Sequence, residues 1–137
     1  MNKFKLTAIA ATSLVASAIT VSAADMAYPD KCKSDVMSGG DMAMQGHEMS
    51  GATDYQKESM DGMKAMNMNM MQGMMKKDAD VSFICGMIAH HMGAISMSEV
   101  ELKHGDNAQA RDMAQKIIDA QKKEIVEMTK WLDDNAK

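Results

Sequence analysis

The chain has 137 residues and a formal net charge of −4, and 19 of its residues are methionine while only 4% are aromatic. This length accommodates one small domain. The acidic balance argues against a nucleic-acid-binding protein and favours the attraction of cations.

The first 23 residues have the organisation of an export signal. Lys3 and Lys5 precede an uncharged apolar run over residues 6–21, and small residues ending at Ala23 resemble a cleavage site. We therefore predict a signal peptide over residues 1–23 and a periplasmic mature chain of 114 residues with a net charge of −6. No later apolar stretch is expected to span a bilayer, so a soluble protein without a membrane partner is predicted.

Residues 24–52 are predicted to form a flexible arm rich in methionine and glycine, because glycines interrupt any apolar period there. A disordered linker is the alternative, although disorder and metal capture are compatible. Four potential metal ligands lie close together in this arm: Met42, Met44, His47 and Met49.

The two cysteines, Cys32 and Cys85, leave three interpretations open. An even pair in an oxidising compartment is compatible with one disulfide. The second interpretation is a free Cys32 with a buried Cys85. The third is ligation of Cu(I) by the thiolates.

Residues 54–136 are predicted to form an all-α domain, an antiparallel helical bundle of three long helices. Asp54 is a suitable N-cap for the first helix, and Gly105 a suitable stop for the second. Connections of two to four residues make neighbouring helices antiparallel, and no segment has a strand pattern. The predicted helices cover residues 54–77, 80–104 and 107–136.

Methionine replaces the ordinary hydrophobic residues of the first half of the chain. Twelve methionines lie between Met37 and Met75, where Leu, Ile, Phe and Trp are absent. Methionine can fill a core, but a soft sulfur donor also selects Cu(I). The first helix carries two adjacent methionine stripes, more than the burial of one face requires. The stripes contain Met60, Met63, Met66, Met70 and Met74 in one and Met68, Met71 and Met75 in the other; the predicted ligands are Met60, Met63, Met66, Met70, Met71 and Met74.

The second helix carries a stripe of methionine and histidine on one face, formed by Met87, His90, Ala94, Met97, Glu101 and His104. Its ends are about 25 Å apart at 1.5 Å per residue. We therefore predict one metal site near Met87 and His90, with His91, and another near Met97 and His104. Imidazole tolerates both copper oxidation states.

Each histidine also has a structural alternative. His91 falls on an isoleucine stripe, which is typical of a core residue, and His104 suits a solvated charge at a helix C-terminus. A single Glu101-x-x-His104 is weak support for a di-iron site, which uses that unit twice with two further glutamates.

The run Met87-Ile88-Ala89-His90-His91-Met92-Gly93-Ala94-Ile95-Ser96-Met97 resembles the signature of an exported, ferritin-like helical family known as domain of unknown function 305. Residues 117–121 and 124–132 resemble the closing helix of that family, so the similarity covers about residues 54–135. The resemblance implies a ferritin-like bundle, periplasmic copper binding and copper or silver tolerance, with His and Met ligands on the His-His helix and its partner helix. Ala89 stands where the family usually has proline. Longer members repeat the helical hairpin, so a homodimer would complete the bundle here.

We therefore expect a periplasmic protein that binds Cu(I), and Ag(I) as a related soft ion, without being an enzyme. It would sequester copper or hand it to a copper efflux or copper-transfer protein. A copper-dependent or di-iron oxidase and a methionine-based antioxidant are the alternatives.

Overall fold

A computed structural model describes residues 26–34 and 51–136. The predicted signal peptide and the ligands predicted in the arm (Met42, Met44, His47 and Met49) lie outside these residues. A short 3-10 helix at Asp30–Cys32 precedes α1 (Asp54–Met74), α2 (Ala79–His104) and α3 (Ala108–Asn135). The described residues contain no strand, so the predicted all-α class and the three helices are confirmed for this part of the chain.

The helix ends show where local capping differs from the prediction. Thr53, and not Asp54, is the N-cap of α1, and its backbone N–H donates to Gln56 Oε1 at 2.9 Å. The predicted cap was therefore one residue too late. Asp78 caps α2 by accepting two backbone N–H groups at 3.0 Å. At its other end, α1 stops at Met74, three residues before the predicted end at residue 77.

The three helices lie side by side with α2 in the centre. α2 packs along both α1 and α3, whereas α1 and α3 have almost no contact with each other. Gly73 of α1 allows a close approach to α2, because a Cβ there would lie 2.9 Å from the backbone nitrogen of Gly86. Gly62 faces Ser96 further along, so α1 and α2 are antiparallel. Within residues 26–34 and 51–136, one face of the central helix therefore stays uncovered.

The core is formed mainly by branched aliphatic residues of α2 and α3, together with Tyr28 and the Cys32–Cys85 disulfide. Four half-buried methionines pack against it: Met26, Met70, Met92 and Met128. Its fully enclosed members include Ile88, Ile95 and Leu132, and no methionine among the described residues is buried. α1 buries only Gly73. Methionine in α1 therefore does not serve as the main core filler.

The short segment 26–34 connects all three helices. Cys32 forms a disulfide with Cys85 of α2, and both are completely buried. The Tyr28 hydroxyl donates to the carbonyls of Asn69 at 2.9 Å and Cys85 at 3.1 Å. Lys31 donates to the Leu132 carbonyl at the C-terminus of α3 at 3.0 Å. Of the three interpretations of the cysteines, the structure therefore has the disulfide.

The central helix corrects one expectation about membranes. α2 has 26 residues and a mean hydropathy of 1.3 in its most apolar window, which is long and apolar enough to cross a bilayer. The expectation that no stretch after the signal could do so was wrong on length and composition. The core helix of a helical domain passes the same test, and α2 here lies between α1 and α3.

Candidate metal site

The methionine–histidine stripe of α2 lies on the uncovered face of that helix. His90 is exposed, Met97 is 49% exposed and Met87 is half-buried. Phe83, one turn before Met87, is 65% exposed on the same face. Met87 and His90 are separated by about 4.5 Å of helix rise, close enough for both side chains to reach one ion. This predicted pair is therefore together and accessible from solvent.

His91 points in a different direction from His90 and contacts α3. Its Nε2 lies 2.5 Å from Glu124 Oε2, and its Nδ1 is buried without a hydrogen-bond partner. The two rings are edge-on, with centroids 5.9 Å apart. A carboxylate often orients a metal-binding imidazole in this way, but the remaining nitrogen of His91 faces the protein interior. The structure thus separates His91 from the open face that carries His90.

His104 is held by α1. Its Nε2 lies 3.1 Å from Glu58 Oε2, and Lys103 donates to the other oxygen of Glu58 at 2.6 Å. Both hydrogen bonds lower the pKa of the Glu58 carboxyl, and the bond from Lys103 has the larger effect. Met97 lies about 10 Å away along the helix axis. The structure therefore does not bring Met97 and His104 together into one site.

A carboxylate-rich metal centre is not assembled in the described part of the chain. No three His, Cys, Asp or Glu side chains there form a group that could hold a metal ion. Glu58 is engaged by Lys103 and His104, and the Glu101 carboxylate lies against Gly105.

The predicted thioether ligands of α1 are open to solvent or half-buried. The exposed fractions are 52% for Met60, 43% for Met63 and 67% for Met74. Met66, Met70 and Met71 are half-buried. The facing pairs Gly62–Ser96 and Gly73–Gly86 fix the register of α1 against α2. Because that register is antiparallel, Met70 lies within about one residue of the height of His90.

A second group of methionines borders a cleft between α1, α2 and the N-terminal segment. Met26, Met66 and Met92 line this cleft, which has a volume of about 270 Å³. Only Met66 was among the predicted ligands. Met92 lies off the methionine–histidine stripe, and Met26 reaches the cleft through the fold of a non-helical segment, so helical periodicity gave no signal for either.

Comparison with known proteins identifies the family. A family model described as domain of unknown function (DUF305) matches residues 14–132, so the chain belongs to this family. The resemblance seen in the His90-His91 run is thereby confirmed. A comparison with curated proteins gave no match.

Proposed function

We propose that this protein binds Cu(I), and Ag(I) as a related soft ion, in the periplasm through thioether and imidazole donors. It sequesters the ion or passes it to a copper efflux or copper-transfer protein, without chemical turnover. The observation that carries the proposal is the position of the methionines, since none in the described residues is buried.

Exposed methionine is difficult to explain by packing. Burying a methionine side chain stabilises a fold by about 1.5–3 kcal/mol, and an exposed one contributes much less. In α1, methionines occupy positions that a stable soluble helix would fill with polar residues, such as the 52% exposed Met68. What an exposed thioether offers is its sulfur, a neutral soft donor suited to Cu(I).

The open face of α2 supports an entry site for the ion. Met87 and His90 are one turn apart on it, and Met70 of α1 lies at nearly the same height as His90. This combination provides a histidine and two methionines without a buried charge. We take Met87, His90 and Met70 as its ligands, with the other exposed methionines of α1 exchanging ions around it.

A methionine-based antioxidant is the second candidate, because exposed thioethers are also oxidised readily and reversibly. That function would depend on the number and exposure of methionines and not on His90. Replacing His90 should leave the rate of sulfoxide formation unchanged, and it should weaken metal binding if the first proposal is correct.

The test is a Cu(I) titration of the purified protein against a chromogenic Cu(I) chelator. We expect more than one bound Cu(I), and a reduced but not abolished amount in a His90→Ala variant. Met113→Leu is the matched control, because Met113 is 51% exposed on α3, outside the proposed sites. A wild-type protein that takes no Cu(I) from the chelator would remove the proposal and leave the antioxidant function.

A further inference from the structure

We propose that the cleft between α1, α2 and the N-terminal segment is a separate site for one Cu(I) or Ag(I) ion, with Met26, Met66 and Met92 as its ligands. This inference rests on the proposed function and deepens it, because it assigns an all-thioether site independent of every histidine. Met26 and Met92 do not belong to the stripe that carries His90.

The three methionines reach the cleft from three different elements. Met26 comes from the N-terminal segment, Met66 from α1 and Met92 from α2. All three are half-buried, so each side chain is partly shielded but still borders open volume. Because they do not lie in one row, their sulfurs can surround an ion. The unbranched side chain of methionine has three rotatable bonds with which to adjust to it.

Gly93 makes room for one of these sulfurs. A Cβ at this position would collide with the side chain of Met66, and its sulfur would be the nearest atom. The Met66 sulfur therefore lies directly over the bare backbone of α2, in the wall of the cleft. A larger residue at position 93 would displace the thioether.

The N-terminal segment is fixed before any ion arrives. Tyr28, two residues after Met26, is hydrogen-bonded to both α1 and α2, and Cys32 is bonded to Cys85. Holding Met26 beside the cleft in advance reduces the entropy cost of binding. The disulfide therefore helps to hold Met26 at the cleft. A chain without the disulfide should bind the ion less tightly.

The lining of the cleft selects for soft ions. Besides the methionines it consists of small, apolar or neutral polar residues and one carboxylate, Glu99, with neither histidine nor cysteine. Thioethers are poor ligands for Zn²⁺ and suit Cu(I) and Ag(I).

The test is an Ag(I) titration followed by NMR of protein labelled with ¹³C at the methionine methyl groups. We expect the signals of Met26, Met66 and Met92 to shift together within one equivalent of Ag(I). Each of three single variants should lower the affinity for this first Ag(I) at least tenfold: Met26→Leu, Met66→Leu and Met92→Leu. The same variants assign the three methyl signals. Met113→Leu should not lower this affinity, and Zn²⁺ should leave the three signals in place.

A Cys32→Ala/Cys85→Ala variant tests the role of the disulfide without adding a thiol reductant that would itself bind Ag(I). This variant should no longer bind the first equivalent of Ag(I) tightly. Its helix content, measured by circular dichroism, should be retained. If that variant unfolds, the three leucine variants still decide the question. Wild-type binding that none of them alters would overturn the cleft site and leave the proposed function standing. Absence of any Ag(I) and Cu(I) binding would overturn both.

Discussion

The His91 imidazole and the Glu124 carboxylate join α2 to α3, with Nε2 2.5 Å from Oε2. The His91 side chain is only 9% exposed, whereas that of Glu124 is 51% exposed. The other ring nitrogen, Nδ1, is buried without a hydrogen-bond partner. The imidazole therefore lies within the α2–α3 interface and does not face solvent. His90, the preceding residue, points about 100° away around the helix axis and is exposed on the open face. Adjacent histidines in one motif therefore have different structural positions.

This division predicts opposite effects of two neighbouring substitutions. His91→Ala removes a buried side chain and its hydrogen bond to a charged partner, so it should lower the free energy of unfolding by about 1.5–3 kcal/mol. His90→Ala should change it by less than about 0.5 kcal/mol, as is usual for an exposed residue, and should weaken Cu(I) binding. Urea unfolding and Cu(I) competition measure the two effects. If His90→Ala destabilised the fold and His91→Ala did not, the assignment would be reversed.

The same pair of histidines shows what sequence patterns can and cannot predict. Helical periodicity correctly separated the stripes of His90 and His91, because both belong to one helix. It could not identify Glu124 as the partner of His91, because that contact depends on how α2 and α3 align. Similarly, a glutamate near the start of α1 was visible in the sequence, but its bonds to Lys103 and His104 require the fold.

The helix boundaries were predictable to within three residues, because caps and short connections are local. The cleft was not, because Met26 reaches it through the path of a short non-helical segment. That path depends on a disulfide with Cys85, which the sequence left as one of three interpretations.

Removing the disulfide should be costly for stability. Cys32 and Cys85 are 53 residues apart in sequence, and closing a loop of this length stabilises a fold by about 4 kcal/mol on the chain-entropy model. The Cys32→Ala/Cys85→Ala variant should therefore unfold at a lower denaturant concentration. Chemical denaturation of the oxidised wild-type protein and this variant measures the difference. A midpoint unchanged from wild type would show that segment 26–34 is held by its hydrogen bonds alone.

Tyr28 gives the fold a dependence on alkaline pH. Burial raises the pKa of its hydroxyl from 10.0 to about 12. Because the pKa is higher in the folded protein, the stabilisation is complete below pH 10 and is lost as the pH rises from 10 to about 12. Tyr28→Phe should weaken this loss above pH 10 and, at neutral pH, cost about 0.5–1.5 kcal/mol for the missing hydrogen bonds. Urea unfolding at pH 8 and pH 11 tests both statements, and Tyr55→Phe, at a 48% exposed tyrosine, is the control.

Glu58 should secure the N-terminal part of α1 to the end of α2. Since Lys103 and His104 lower the pKa of Glu58, the stabilisation is present above its ordinary pKa of 4.5 and is lost as the pH falls through the lowered value. Glu58→Gln should therefore speed amide hydrogen exchange in the first turns of α1 at neutral pH. Lys57→Gln is the control, because the ion pair of Lys57 in the described part of the chain is with Asp54 of the same helix, at 3.9 Å. Equal exchange in wild type and Glu58→Gln would show that the contact does not hold this end.

The pH dependence of Cu(I) binding should distinguish the two proposed kinds of copper site. A thioether has no proton to lose before it binds a metal, whereas imidazole must be neutral to do so. Between pH 7 and pH 5, the affinity for Cu(I) bound in the cleft should fall by less than about threefold. The share of binding that depends on His90 should fall more steeply, because protons compete with the metal for an imidazole nitrogen. The measurement is Cu(I) competition at both pH values on the wild type, His90→Ala and Met66→Leu. His90→Ala should bind almost independently of pH, and Met66→Leu should retain mainly the acid-sensitive share. A steep loss of all bound copper in every variant would mean that the methionines of α1 and the cleft do not bind Cu(I) without a histidine.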